Sequence, residues 1–376
     1  MAAYDYLPLE RVIFGRPAAE AAAEEATRIG AQRVFVVASK SLSRKTREIS
    51  RVQDALGEKF CGLFDDCIAH TPWPSIIAAA EAVRAAQPDL ILTVGGGTPI
   101  DTVKILQICL AHGVSAIEGL ENLRVATRPS PVRQVVVPTT LSGAEFSNIG
   151  GGTDPRTRLK HSFSGADVGA RSVILDPALT LHTPEWLWLS TGVRAVDHAC
   201  ETLGSLASND YCDGMAESAL RLLAEGLLRV EDDPRDLEAR LKCQVGAWQS
   251  MISIIGGVPM GASHAIGHIL GGTCDVPHGY TSCVMSPYVL EWNAEHDDSR
   301  QARILAGLGQ AHPTAAKALD AFIRGLGLPR TLSEVGVGED RFQQVAEYTM
   351  LDIWGRTNPR PVTSPADIME ILRRAA

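Results

Sequence analysis

The run Asp89 to Val94 (DLILTV) leads straight into Gly95-Gly96-Gly97-Thr98-Pro99-Ile100-Asp101, and Thr102 to Leu106 (TVKIL) follows. A short apolar run of this kind predicts a buried strand. Three glycines let the backbone turn sharply and approach another group closely. The residues after them read as a helix. Strand, tight turn and helix in that order form half of a βαβ unit, which constrains this part of the chain to a layered α/β structure with right-handed crossovers. A helix N-terminus beside exposed backbone N–H groups also suits phosphate oxygens. The run is neither GxGxxG nor a Walker loop, so a plain tight turn is the competing reading.

The same alternation recurs in the first half. Arg33 to Ala38 (RVFVVA) and Gln134 to Val137 (QVVV) predict strands, Val173 to Leu175 a weaker one, and Pro74 to Ala86 a helix. After about Thr183 the pattern changes. Helix-compatible windows cover Thr191 to Ala207, Cys212 to Leu228, Pro234 to Ile255, Ser263 to Gly271, Thr281 to Asn293, Ser299 to Leu308 and Pro313 to Gly325, with no convincing strand among them. A chain of 376 residues exceeds one typical core. We therefore expect an α/β domain over residues 1–183 and an all-α domain over residues 184–376, with a ligand in the cleft between them.

Composition narrows the function. A net charge of −9 argues against a nucleic-acid partner. The eight cysteines form no CxxC pair, the first residues carry no basic and apolar leader, and no apolar run reaches a membrane span. A cytoplasmic protein acting on a small molecule is expected, with no membrane partner.

Two further groups of residues carry chemistry. Pro138-Thr139-Thr140-Leu141-Ser142-Gly143-Ala144-Glu145 follows a strand end, where ligands gather in open parallel sheets. Its hydroxyls suit a nicotinamide or its ribose, or equally a threonine-rich turn. In the second half, His198 lies in GVRAVDHACE, His264 and His268 are four apart, and His278 follows in VPHG. Neutral imidazoles are the commonest metal ligands. A carboxylate four residues before His198 would share its helix face, but that position is Arg194. Asp197 lies roughly 100° further round the helix from His198.

In order, GGGxxxDxxK, PTT…GxE, GxxxxxHxxE and HxxxHxLGGxxxxPHG resemble the iron-containing (group III) alcohol dehydrogenase family over nearly the whole chain. PTTLSGAE and CDVPHGYTSCV look like its maleylacetate reductase branch. The resemblance implies a Rossmann-like dinucleotide-binding domain followed by a helical metal and substrate domain, in a dehydroquinate synthase-like architecture, and a homodimer. It implies Gly95, Gly96, Gly97 and Asp101 at the pyrophosphate, Thr139, Thr140 and Ser142 beside the nicotinamide, and Lys160 at the ribose. Ser39 stands where relatives that prefer NAD carry an acid, so NADPH should be tolerated beside NADH. His198, His264 and His278 match the metal ligands for iron or zinc, and His268 matches a histidine near substrate and nicotinamide.

Arg194 departs from that pattern. Either it turns away, pairing with Asp197 or Glu201, or the metal is absent and the guanidinium takes over its charge. In the second case Arg194 would clamp a carboxylate, and His264 or His268 would donate the proton. That suits reduction of maleylacetate to 3-oxoadipate. A metal-dependent dehydrogenase of a small alcohol is the alternative. A sugar-phosphate enzyme of the dehydroquinate synthase type, and a non-catalytic binding protein, fit less well.

Overall fold

The computed structural model describes residues 3–157, 159–296, 298–309 and 311–376. The chain divides into two compact units, Tyr6–Thr183 and Pro184–Ala376, the latter taking in the segment before Tyr6.

The first unit runs β1 (Arg11–Phe14), α1 (Ala18–Ile29), β2 (Val34–Ala38), α2 (Lys40–Lys45), α3 (Glu48–Leu56), β3 (Phe60–Phe64), α4 (Trp73–Ala86), β4 (Leu90–Gly95), α5 (Gly97–His112), β5 (Arg133–Pro138), β6 (Ile149–Thr153), β7 (Lys160–Ser164) and β8 (Ala170–Leu175). Six strands pair in parallel in the order β1-β8-β5-β4-β2-β3, while β6 and β7 form a separate antiparallel hairpin. Every residue of β2 and β4 is buried. Alternate side chains go to opposite faces. Val34, Val36, Leu90 and Leu92 pack with α1 and α3, whereas Phe35, Val37 and Ile91 pack with α4 and α5. Two covered faces explain why these strands read as unbroken apolar runs. The edge strands β1 and β3 are only partly buried, and β3 contains Gly62, so neither gave such a run.

Register decides what this sheet presents. Ala38 lies opposite Val94, and Gly95 opposite Pro138, so the carboxyl ends of β2, β4 and β5 stand side by side. At the end of β8, Asp176 binds two helix starts. Its Oδ2 accepts the Ala18 N–H of α1 at 2.7 Å, and its Oδ1 accepts from Ala178 and Leu179 at 2.8 and 3.2 Å.

The second unit is helical: α6 (Glu185–Gly204), α7 (Asp210–Asp232), α8 (Leu237–Ile255), α9 (Ala262–Cys274), α10 (His278–Asn293), α11 (Asp298–Gly307), α12 (Ala315–Gly325), α13 (Phe342–Thr349) and α14 (Pro365–Arg374). Its described residues contain no strand. Helix α6 is buried almost all round and packs on α7, α8 and α10, the position of a core helix. No helix among the described residues is long and apolar enough to cross a membrane. All eight cysteines are free thiols.

Asp176→Ala should leave the Ala18, Ala178 and Leu179 N–H groups unpaired, destabilising the first unit by about 1–2 kcal/mol. Urea denaturation of the variant beside the wild type checks this.

Candidate active site

In the first unit, loops at three strand ends meet. The Ser39 N–H donates to Val94 O at 3.0 Å and the Thr139 N–H to Gly95 O at 3.0 Å. Gly96 is demanded by this approach, since a Cβ there would lie 2.8 Å from Thr140 Cγ2. A Cβ on Gly97 would come within 3.3 Å of Ser142 Oγ, itself 3.3 Å from Thr140 Oγ1. Gly95, Gly96, Gly97, Ser39, Thr139, Thr140 and Ser142 are therefore brought together at the start of α5. That helix begins within the glycines, earlier than the sequence window that opened at Thr102.

Asp101 and Lys160 sit beside this loop cluster through the β6–β7 hairpin. Asp101 Oδ2 accepts the Gly151 N–H at 3.1 Å, and Lys104 Nζ donates to Ile149 O at 2.7 Å while standing 3.3 Å from Asp101 Oδ1. One Asp101 oxygen thus binds the hairpin, and the other faces Lys104, which binds the same hairpin. The Lys160 stem crosses Gly151, where a Cβ would leave it no room. Below them Glu145 is buried, and burial raises its carboxyl to about 7. Near Ser39, Lys40 Nζ lies 2.9 Å from Asp66, and Arg44 holds Asp65 and Asp66 at 3.0 Å each. The sequence reading did not single out those two acids.

In the second unit the polar face of α6 carries Arg194, Asp197, His198 and Glu201, all buried or nearly so. Glu201 caps α9, accepting the Gly261 and Ser263 N–H groups at 2.9 Å each, while Asn358 Oδ1 accepts from Ala262 at 3.1 Å. A negative charge at a helix N-terminus is well placed. Asp197 Oδ2 accepts hydroxyls from Ser263 at 2.8 Å and Ser282 at 2.7 Å. Arg194 is 3 % exposed, and its Nη1 donates to the same Ser282 Oγ at 3.0 Å. Arg194 therefore reaches Asp197 through a hydroxyl, and forms no direct ion pair with Asp197 or Glu201 among the described residues. Gly267 on α9 is demanded by Thr281, since a Cβ there would lie 2.9 Å from Thr281 Oγ1, with Arg194 Nη1 next at 3.4 Å.

The four histidines make two ring contacts, and His268 also acts electrostatically on His198 and His264. The His198 and His264 rings are 4.8 Å apart, while His268 and His278 stack within 6° of parallel at 6.2 Å. Burial, reinforced by the charges of neighbouring histidines and Arg194, holds His198 and His264 far below the ordinary imidazole range. Both are neutral. His264 Nδ1 lies 2.7 Å from Glu201 Oε2 and 3.4 Å from Asp197 Oδ2, but neither ring nitrogen has an aligned hydrogen bond. His268 is partly exposed and faces Asp352, with Trp354 against its ring.

Among the described residues, His198, His264 and His278 do not bring three ligating atoms within 4.8 Å of one another, and the position that would supply an acid supplies a buried cation. At about 5 Å, charges of +1 and +2 repel by roughly 7 kcal/mol at an effective dielectric of about 20. Among the described residues, the group that brings three ligating atoms within 4.8 Å of one another is Asp197, Glu201 and His264. Asp197 thus faces His264. Most oxygens of the two acids are already committed to N–H and hydroxyl donors.

Burial raises Asp197 and Glu201 to about 7 each; the Glu201 charge adds to the rise at Asp197, whereas backbone N–H donors and Arg194 partly offset it at Glu201. An acid with a raised folded pKa contributes stability that is present below its unfolded value, near 4, and is lost as pH rises through the folded one. The wild type should therefore lose thermal stability relative to Asp197→Asn between about pH 4 and pH 7, and the gap should level off above that. Paired melting curves across this range check it.

Comparison with known proteins agrees with this architecture. The family model described as iron-containing alcohol dehydrogenase matches residues 9–177, and that described as Fe-containing alcohol dehydrogenase family, C-terminal, matches residues 188–376. A dehydrogenase of Alternaria alternata is 33% identical, over 92% of this chain and 99% of its own. A maleylacetate reductase of Sphingobium indicum is 30% identical, over 99% of this chain and 96% of its own. The crystal structure of maleylacetate reductase from Agrobacterium tumefaciens superposes with a TM-score of 0.84 at 29% identity, covering 99% of this chain and 97% of that one. The chain belongs to the iron-containing alcohol dehydrogenase family, with maleylacetate reductases among its relatives, and is an oxidoreductase.

Proposed function

We propose that this chain is a nicotinamide-dependent reductase of an oxo-dicarboxylate, with maleylacetate to 3-oxoadipate as the leading reaction. The observation that carries this reading is Arg194, a buried guanidinium bonded to one hydroxyl at the position of an expected acidic ligand. Such a group binds a carboxylate in bidentate fashion and stabilises negative charge on a neighbouring oxygen. Similarity to maleylacetate reductases over nearly the full length supports the substrate class.

The reaction needs a hydride and a proton. A dihydronicotinamide would supply the hydride, which the alkene carbon β to the ketone takes up. The alkene electron pair moves toward the ketone oxygen, giving an enolate that Arg194 stabilises. A proton then adds to the α carbon, leaving 3-oxoadipate and oxidised cofactor. His268 is the donor in this scheme, because His264 is fully enclosed and held neutral. The glycine turn and the Thr139–Ser142 loop would hold the dinucleotide.

A second reading is a metal-dependent dehydrogenase of a small alcohol, favoured by the grouping of Asp197, Glu201 and His264. Plasma mass spectrometry of protein purified without a metal-chelating tag, and NADH oxidation with maleylacetate before and after EDTA, separate the two. The first reading expects substoichiometric metal and EDTA-insensitive turnover. It also expects Arg194→Leu to lower kcat/KM for the dicarboxylate at least about 100-fold. Stoichiometric metal, EDTA sensitivity and faster turnover of simple primary alcohols than of oxo-acids would hand the site to the second reading.

Cofactor choice follows from the end of β2. Ser39 is neutral there, and the nearby cations Lys40 and Arg44 are offset by Asp65 and Asp66. A fixed repulsion of a 2′-phosphate by an acid at position 39 is thus missing, and Lys40 and Arg44 are already paired. NADH should be preferred over NADPH by less than roughly a thousandfold, or about 4 kcal/mol, in kcat/KM. Comparing the two cofactors at one substrate concentration checks it.

A further inference from the structure

The segment after α13 carries a carboxylate that no motif marked. Asp352 Oδ2 lies 3.0 Å from His268 Nδ1, across 84 residues of chain. The other carboxylate oxygen, Oδ1, accepts the Trp354 N–H at 2.9 Å. That local turn fixes the carboxylate before it meets the imidazole. The Trp354 indole then packs on His268 with ring centres 5.1 Å apart, and on the edge of His264 at 5.9 Å.

The segment is tied back to the start of α9. Thr357 Oγ1 donates to Met260 O at 2.5 Å, and Asn358 accepts from the Ala262 N–H at 3.1 Å while exchanging amide hydrogen bonds with Asn293 at 2.6 and 3.3 Å. Asp352 and Trp354 face inward, whereas Leu351 and Ile353 between them are 81% and 77% exposed. An inward acid is costly to bury without a partner, and its partner here is the imidazole.

We propose that Asp352 is a positioning residue for His268, and that the pair is a carboxylate–imidazole dyad. The inference rests on His268 being the proton donor of the reaction proposed above. A carboxylate only accepts, so the His268 Nδ1 must carry hydrogen in this pair. Nε2 is then the nitrogen that loses and regains the transferable proton. The same bond, with the Trp354 face, sets the plane of the ring, and the carboxylate stabilises the imidazolium that precedes proton delivery. Proton balance is simple: Nε2–H of the imidazolium passes to the substrate carbon, and water restores it.

Asp352→Asn is the discriminating variant. An amide has one acceptor, which the Trp354 N–H claims, so its NH2 group turns toward Nδ1. The preferred tautomer then reverses to Nε2–H. Long-range proton–nitrogen correlation on protein labelled with 15N-histidine should show a protonated Nδ1 for neutral His268 in the wild type and a protonated Nε2 in Asp352→Asn, the signal being assigned by its loss in His268→Gln. In turnover, Asp352→Asn should lower kcat about 10–100-fold while KM and the NADH dissociation constant stay within about threefold. His268→Gln should lower kcat at least as far, and adding Asp352→Asn to it should cost nothing more.

A wild-type His268 carrying its proton on Nε2 would overturn the proposal. So would an Asp352→Asn variant with wild-type kcat, or one whose loss falls in cofactor binding or melting temperature alone. If Asp352→Asn does not fold, the wild-type tautomer still decides. Should the wild type reduce no oxo-acid, the functional reading fails, while the tautomer measurement judges the dyad separately.

Discussion

The second unit depends on a buried positive charge. Arg194 projects from a core helix with only 3 % of its surface exposed, and a guanidinium cannot shed its proton to escape. Two carboxylates on the same helix face make that tolerable. They do so at one remove: Ser282 stands between Arg194 and Asp197, and Glu201 is turned to the N–H groups that open α9. Charge on α6 is thereby used to join α6, α9 and α10. Removing one member would leave others buried and unpaired, which is why such clusters are hard to alter singly.

That arrangement also separates the histidines by role. His198 and His264 lie deep beside the guanidinium and are held neutral by burial and by its charge. His268 and His278 lie nearer the surface, where His268 meets Asp352 and Trp354. Four residues of the same type, spaced much as metal ligands would be, thus meet two different environments. In the first unit a comparable division comes from small residues. The glycines after β4 allow the Thr139–Ser142 loop to close against α5, and Gly151 lets Lys160 lie across the hairpin.

Much of this was legible in the sequence. Fully buried parallel strands such as β2 and β4 advertise themselves by unbroken apolar runs, and the glycine turn marked the passage from strand to helix, although α5 starts within the glycines and not at Thr102. Edge strands did not: β1 is half exposed and β3 carries a glycine, so neither has a strong period. The histidines and Arg194 were visible through spacing within one helix or one short loop. Asp352, Ser282, and the acids Asp65 and Asp66 were not, because each meets its partner through tertiary folding and carries no local signature.

The sequence by itself determined the kind of molecule: an α/β half, a helical half, a glycine turn suited to phosphate, and a histidine set interrupted by an arginine. These features are written in the periods of strand and helix, and in residue types whose chemistry does not depend on context. Only the tertiary structure decided which nitrogen meets which carboxylate. It turned Asp197 toward His264, put Ser282 between Asp197 and Arg194, and brought Asp352 across 84 residues to His268. The physical reason is range. Backbone preferences act over a few residues, while desolvation and Coulomb energy depend on what packs around a group, and the chain order does not record that.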